Sequence, residues 1–189
     1  MVLPKALRWD DVGPCFTARC EGRVPALTYY HATNGCSLWR SAQPARGVRN
    51  VRSEYDAKLL AEIARINPVS NADGSDDGCL EIYDARAMGA AVANRVRGGG
   101  FEDDWRPEIH FCKIGNIHAV RKCFQAMSRI PDTPPNFNSV DTYGPVVEKT
   151  GYFQMISLIL KATNAMVADM HGGKTNVLVH CSDGWDRTS

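Results

Sequence analysis

An apolar run, Val177-Leu178-Val179, empties without a turn signal into His180-Cys181-Ser182-Asp183-Gly184-Trp185-Asp186-Arg187-Thr188-Ser189. A strand that delivers a cysteine, five residues and then an arginine is the layout of a phosphate-cradling loop. Curling Ser182 to Asp186 around one centre aims successive backbone N–H groups inward and makes a concavity for an anion. Arg187 can close the ring with a bidentate grip on phosphoryl oxygens. Cys181 then sits at the bottom, where amide dipoles and the N-terminus of a following helix would favour thiolate over thiol. The spacing alone also fits a buried cysteine at a strand end beside an unrelated surface arginine, so the residues filling the loop carry more information than the spacing.

The chain leading to this loop alternates between two periods. Residues 1–52 are punctuated by Gly, Pro and Arg, with short apolar pieces at Val24–Tyr30 and Cys36–Arg40, and read as strands and turns. Ser53 reads as an N-cap with Asp56 three residues on, a weaker relative of the capping box, and Tyr55, Leu59, Ile63 and Ile66 step at helical intervals up to Pro68. Asn71 to Gly78 is an acidic, turn-forming stretch that reads as an exposed mobile loop; it lacks the alternating ligands and distal Glu of a calcium loop. A strand at Leu80–Tyr83, a small-residue helix from Ala87 to Arg97 stopped by Gly98-Gly99-Gly100, and a strand at Ile109–Cys112 follow. Asn116 then caps a helix whose buried stripe is Ile117, Val120, Phe124, Met127 and Ile130. Pro131 to Pro135 ends it, an irregular connection runs to Gly151, and a last amphipathic helix carries Met155, Ile156, Ile159, Leu160, Met166 and Met170 to Gly172-Gly173. Strands alternating with helices predict an α/β fold, a largely parallel central sheet flanked by helices. The cysteine loop falls at the carboxyl end of a central strand, where such sheets bind ligands.

Composition narrows the classes. At 189 residues with 44% hydrophobic and 23% charged residues, the chain is one ordinary globular domain or part of a larger one. A formal net charge of +1 supplies no overall field for nucleic acid, so an anionic ligand must be met by local groups. Seven cysteines without a C-x-x-C pair read as reduced thiols in the cytosol. There is no signal-peptide core and no run near the ~18 apolar residues of a membrane span. Arg40, Arg46, Arg49 and Arg52 fall within thirteen residues; a solvated basic loop and a contact with an anionic membrane surface are both open readings.

Ser182-Asp183-Gly184-Trp185-Asp186 between Cys181 and Arg187, with Val179-His180 before and Thr188 after, resembles the active-site signature of the myotubularin family of phosphoinositide 3-phosphatases. Arg23-Val24-Pro25-Ala26-Leu27 and Arg40-Ser41-Ala42-Gln43-Pro44 resemble the start of that family's phosphatase domain. Asp84-Ala85-Arg86, Ala91 to Asn94 running into Gly98-Gly99-Gly100, and Gly115-Asn116-Ile117-His118 resemble three further motifs in the family's order. The resemblance runs from Arg23 to Ser189. It implies a cysteine-phosphatase-like fold in an incomplete domain over residues 1–189, with a lead-in over 1–52 and an α/β core over 53–189. It implies a headgroup pocket lined by Asn94, Asn116 and Ile117 beside Ser182, Asp183, Gly184, Trp185, Asp186 and Arg187. The residues themselves also allow Asn94 and Asn116 as plain caps, Ile117 as core, and Trp185 as either a stacking platform or a rim residue. His180 reads as structural, hydrogen-bonding the loop backbone, since adjacent strand residues face opposite ways.

By the same resemblance Cys181 attacks the D3 phosphate of phosphatidylinositol 3-phosphate or its 3,5-bisphosphate, Arg187 and the loop amides hold the equatorial oxygens, and no metal or cofactor is required. A general acid has to protonate the leaving inositol oxygen. Asp186 is favoured over Asp183 because it adjoins Arg187, and Asp84 reads as structural. The implied partners are phosphoinositide headgroups at membrane surfaces, with room for oligomers with related phosphatases and no nucleic acid. The implied location is cytoplasmic, peripheral to endosomal-type membranes. Family members carry a lipid-binding domain before this region and more phosphatase domain after the signature, so the chain reads as a fragment truncated after the phosphate loop. A catalytically inert phosphoinositide-binding adaptor and a protein tyrosine or dual-specificity phosphatase are the competing expectations.

Overall fold

A computed structural model describes residues 2–66, 78–105, 109–130, 140–172 and 175–189. Five strands form one mixed sheet in the order β1-β2-β5-β3-β4, with β1 at Ala26–Tyr30, β2 at Ser37–Ser41, β3 at Leu80–Asp84, β4 at His110–Phe111 and β5 at Asn176–His180. Only β1 runs antiparallel, against β2; the β2–β5, β5–β3 and β3–β4 pairings are parallel. The expected α/β architecture with a largely parallel sheet is therefore present. Six α-helices accompany the sheet among the described residues: α1 (Trp9–Thr17), α2 (Glu54–Ala64), α3 (Met88–Asn94), α4 (Ile117–Met127), α5 (Val140–Lys149) and α6 (Tyr152–His171). No helix among the described residues is long and apolar enough to cross a membrane.

The period of two along the strands builds two cores. On one face Trp39, Ile82 and Leu178 pack with Leu59, Leu60 and Ile63 of α2 and Cys15 of α1. On the other Tyr83, Val177 and Val179 pack with Cys36 and with Met170 of α6. Covered on both sides, β5 is buried along its whole length, as a central parallel strand should be. Its register sets Ser41 of β2 and Asp84 of β3 level with His180. Three neighbouring strands thus end together, and the segments leaving them surround Cys181.

Four readings of the sequence need correction. The lead-in is not all strand and turn, since α1 forms across Gly13-Pro14, supported by Asp10 and Asp11 in its first turn and by the burial of Cys15 against the core. The connection before Gly151 is likewise helical over α5, across Gly144-Pro145. The strand expected at Ile109–Cys112 pairs only at His110 and Phe111. The apolar stripe of α4 is not buried: Ile117 is 48% and Phe124 56% exposed on a helix that packs mainly on α6. Of the remaining boundaries, Ser53 caps α2 by accepting from the Asp56 amide, and Gly98 ends the α3 region in the left-handed conformation. The acidic stretch lies, over residues 71–77, outside the described residues.

Leu178 is fully buried at the centre of the sheet. Leu178→Ala should lower unfolding free energy by about 2–5 kcal/mol, the usual cost of a core leucine truncation. Leu160→Ala, on the exposed face of α6, should change it by less than about 0.5 kcal/mol. Urea titration of the two variants measures both.

Candidate active site

Cys181 leaves the end of β5 fully buried, and the loop behind it is shaped from outside. Six successive carbonyls are each taken by a donor. His180 Nδ1 donates to the Cys181 carbonyl at 3.2 Å, the Gln43 amide to Ser182 at 3.1 Å, Arg23 Nη1 to Asp183 at 2.8 Å and Arg40 Nη2 to Gly184 at 2.6 Å. Ser189 Oγ donates to the Trp185 carbonyl, and the Ser189 amide to that of Asp186 at 3.2 Å. With these oxygens engaged, the Gly184 amide lies 3.3 Å from Cys181 Sγ. Gly184 is required twice over: its φ is +71°, and a Cβ there would lie 2.3 Å from the Ser41 carbonyl oxygen.

Two buried charge clusters carry two of these donors, His180 and Gln43. In the first, Arg19 holds both oxygens of Asp56 at 2.7 and 2.8 Å and Glu102 at 2.6 Å, and Glu102 lies 3.0 Å from His180 Nε2. Asp56 therefore spends its carboxylate on Arg19 and not on the expected capping box. In the second, Arg86 clamps Asp84 at 2.6 Å and also donates to Gln43 Oε1 at 2.5 Å and to the Gly100 carbonyl at 2.8 Å. Asp84 is thus structural. Burial opposes a charged imidazole at His180, but Glu102 and then Asp84 outweigh it, and the His180 pKa is raised. Burial would raise the Glu102 pKa, yet His180 and Arg19 hold it well below the usual carboxylate range. His180 enters the loop as a structural residue, as its position beside Cys181 suggested.

Around the cysteine, Cys181 Sγ lies 3.4 Å from Asp186 Oδ1, and the same oxygen accepts the Arg187 amide at 2.6 Å. Burial pushes the Asp186 pKa up, but the Arg187 amide, Cys181, the Arg187 charge and the Ile117 amide outweigh it and hold it below the ordinary value. Asp186 thereby occupies donors suited to an anion. Asn94 Nδ2 donates to Ser182 Oγ at 3.1 Å, which brings the end of α3 to the loop. Arg187 Nε and Thr188 Oγ1 are buried without a hydrogen-bond partner among the described residues.

The structure therefore gathers Cys181, Ser182, Gly184, Asp186, Arg187, Asn94 and the start of α4 at Ile117. Asn116 spends its side-chain oxygen on its own helix, accepting from the Ala119 amide at 3.0 Å, and Ile117 is half-exposed rather than core. Asp183 contributes its carbonyl. Trp185 is exposed on the outer side of the loop, over a cleft of about 310 Å³ shared with Phe16, Arg23 and Arg40. Glu102 and Arg19 were missed from sequence, and nothing in their immediate neighbours marks them as buried. Arg23 and Arg40 stood inside recognised motifs, but their job of gripping loop carbonyls shows only in three dimensions.

Comparison with known proteins gives a consistent result. The family model for the Myotubularin-like phosphatase domain matches residues 1–189. Myotubularin of Rattus norvegicus is 34% identical over 192 residues, covering 100% of this chain and 30% of the relative. The phosphatidylinositol-3,5-bisphosphate 3-phosphatase MTMR2 of Mus musculus is 32% identical over 201 residues, covering 100% of this chain and 28% of the relative. The phosphatidylinositol-3,5-bisphosphate 3-phosphatase MTMR4 of Xenopus laevis is 34% identical over 213 residues, covering 91% of this chain and 19% of the relative. The chain thus spans less than a third of the length of each of these relatives.

The Glu102–His180 pair sets a pH dependence. A histidine whose pKa is raised by folding contributes its full stabilisation below its unfolded value of 6.5 and loses it as pH climbs through the folded value. Urea unfolding should show stability falling as pH rises above 6.5. Glu102→Gln should cost about 3–5 kcal/mol by leaving buried charge unpaired, and it should remove that slope. A slope unchanged in the variant would show that Glu102 does not hold the proton on His180.

Proposed function

The chain belongs to the myotubularin-like phosphatase family, and from that membership we propose that its site hydrolyses the D3 phosphate of phosphatidylinositol 3-phosphate and phosphatidylinositol 3,5-bisphosphate. The observation that carries the reading is the loop itself. Six outward-held carbonyls surround a buried cysteine, with a buried, unpaired nitrogen on the arginine that closes the ring. The names of the MTMR2 and MTMR4 relatives supply the substrate class.

The Cys181 thiolate attacks phosphorus in line with the inositol oxygen. The new S–P bond forms as the P–O bond breaks, and the electron pair leaves on the inositol oxygen, where a proton must meet it. Loop amides and Arg187 stabilise the equatorial oxygens, so the work is mainly positioning and electrostatics. Water then attacks the phosphocysteine, sulfur departs as thiolate, and inorganic phosphate is released.

Asp186 is the residue for both proton transfers, because it lies against the nucleophile and beside Arg187. It is held as an anion while it occupies the loop's donors. An incoming phosphate dianion displaces it from those donors and raises its pKa by like-charge repulsion. The substrate thus loads its own general acid. Asp183, which meets the surrounding scaffold through its carbonyl, is the less favoured acid.

Phosphate release from soluble phosphatidylinositol 3-phosphate and from a phosphotyrosine peptide tests the assignment. Release from the peptide alone would make the protein a tyrosine phosphatase, and lipid binding without release would make it an adaptor. Cys181→Ser should abolish turnover while headgroup binding survives, because the hydroxyl is a poor nucleophile in an unchanged cradle. Asp186→Asn should slow an inositol phosphate by about 10²–10⁴-fold, the usual worth of general acid–base catalysis, while barely slowing an aryl phosphate. Equal losses on both substrates would remove Asp186 from the proton transfer.

A further inference from the structure

The arginine-rich stretch from Arg40 on β2 to Arg52 is only partly the solvated basic loop its sequence suggests. Arg40 grips the Gly184 carbonyl, and Arg46 is buried against Asp103 and Asp104 at 2.7 and 2.5 Å. What remains outside is a built surface. The turn over residues 46–52 closes on itself through the Val51 amide to the Arg46 carbonyl at 2.9 Å. It is joined to the turn over residues 95–99 by the Gly47 amide, which reaches the Gly98 and Gly99 carbonyls at 3.1 and 3.0 Å. Asp103 locks the two together, accepting from Arg46, from Asn50 at 3.0 Å and from Arg95 at 2.7 Å. Arg95 also lies over the Phe101 ring at 4.5 Å.

This scaffold projects three valines into solvent, with Val48 73%, Val51 61% and Val96 80% exposed. Arg49 and Arg97 stand exposed among them without an ion-pair partner among the described residues, and the Arg52 side chain is 60% exposed, 3.4 Å from Asp104. Arg46, Arg49, Arg52, Arg95 and Arg97 against Asp103 and Asp104 leave +3, five minus two, on a chain whose total is +1. The surface also touches the candidate site. The Gly99 amide donates to the Asn94 carbonyl at 3.0 Å, and Asn94 holds Ser182 of the loop.

We propose that these two turns are a docking surface for an anionic lipid bilayer, the valines entering the headgroup boundary and Arg49, Arg52 and Arg97 meeting lipid phosphates. The choice of a bilayer as occupant rests on the lipid phosphatase reading above; the surface stands on its own geometry. Isolated apolar tips interleaved with arginines suit a fluid interface, where each apolar group inserts independently and each cation finds its own headgroup.

Vesicle co-sedimentation of the whole chain is the test, using phosphatidylcholine with and without phosphatidylserine and no phosphoinositide. Wild type should bind only the anionic vesicles, more weakly as salt rises. Arg49→Gln with Arg97→Gln should weaken binding roughly fivefold per arginine removed. Val48→Ser, Val51→Ser and Val96→Ser together should weaken it by at least about tenfold. All five positions are exposed, and circular dichroism confirms the fold of each variant. Cys181→Ser should bind these vesicles like wild type, so failure of the catalytic reading and failure of the docking surface give different results. Wild type that ignores anionic vesicles, or variants that bind them unchanged, would overturn the proposal. So would a change of oligomeric state in light scattering caused by the valine substitutions without any change in vesicle binding, which would make this face a contact between copies.

Discussion

The loop between Cys181 and Arg187 takes much of its shape from donors that lie outside it. A seven-residue turn that points its amides inward must point its carbonyls outward, and outward-pointing carbonyls packed against protein need donors. Here the donors come from five places: His180 on β5, Gln43 after β2, Arg23 before β1, Arg40 on β2, and Ser189. Two of them are guanidinium groups, whose charge-assisted bonds are stronger than amide bonds. The loop is therefore gripped from its back.

The grip is anchored by groups that are expensive to bury. Asp56, Arg19, Glu102 and His180 alternate in charge beneath the loop, and Asp84 with Arg86 forms a second pair beside them. Such clusters recover little net stability after desolvation, but removing one member is severe. Their use here is positional: Arg86 sets Gln43, Gln43 sets the Gly100 amide and the Ser182 carbonyl, and Glu102 sets His180. A single polar scaffold thus spans the carboxyl ends of β2, β5 and β3.

Much of this was legible in the sequence. The strand before Cys181, the cap at Ser53, the cap at Asn116 and the glycine stop after α3 all follow from local chemistry, and the structure shows each. The two missed helices share one cause. Each contains a Gly-Pro pair, which reads as a turn, and in α1 tertiary burial of Cys15 overrides that local preference. The misjudged stripe of α4 has a different cause, since periodicity reveals a face without saying what covers it. Glu102 was invisible because a buried acid looks like any other acid until its partners, Arg19 and His180, are brought in from far away in the chain.

Those distances in the chain have a kinetic meaning. Arg40 and Gly184 are 144 residues apart, and Arg23 and Asp183 are 160 apart. Contacts of such separation raise the contact order of the fold, which slows folding as a whole. The surroundings of the cysteine therefore come from contacts that span most of the chain. Until β2 and β3 have docked on either side of β5, the loop after Cys181 lacks the Arg23, Arg40 and Gln43 donors that hold its carbonyls.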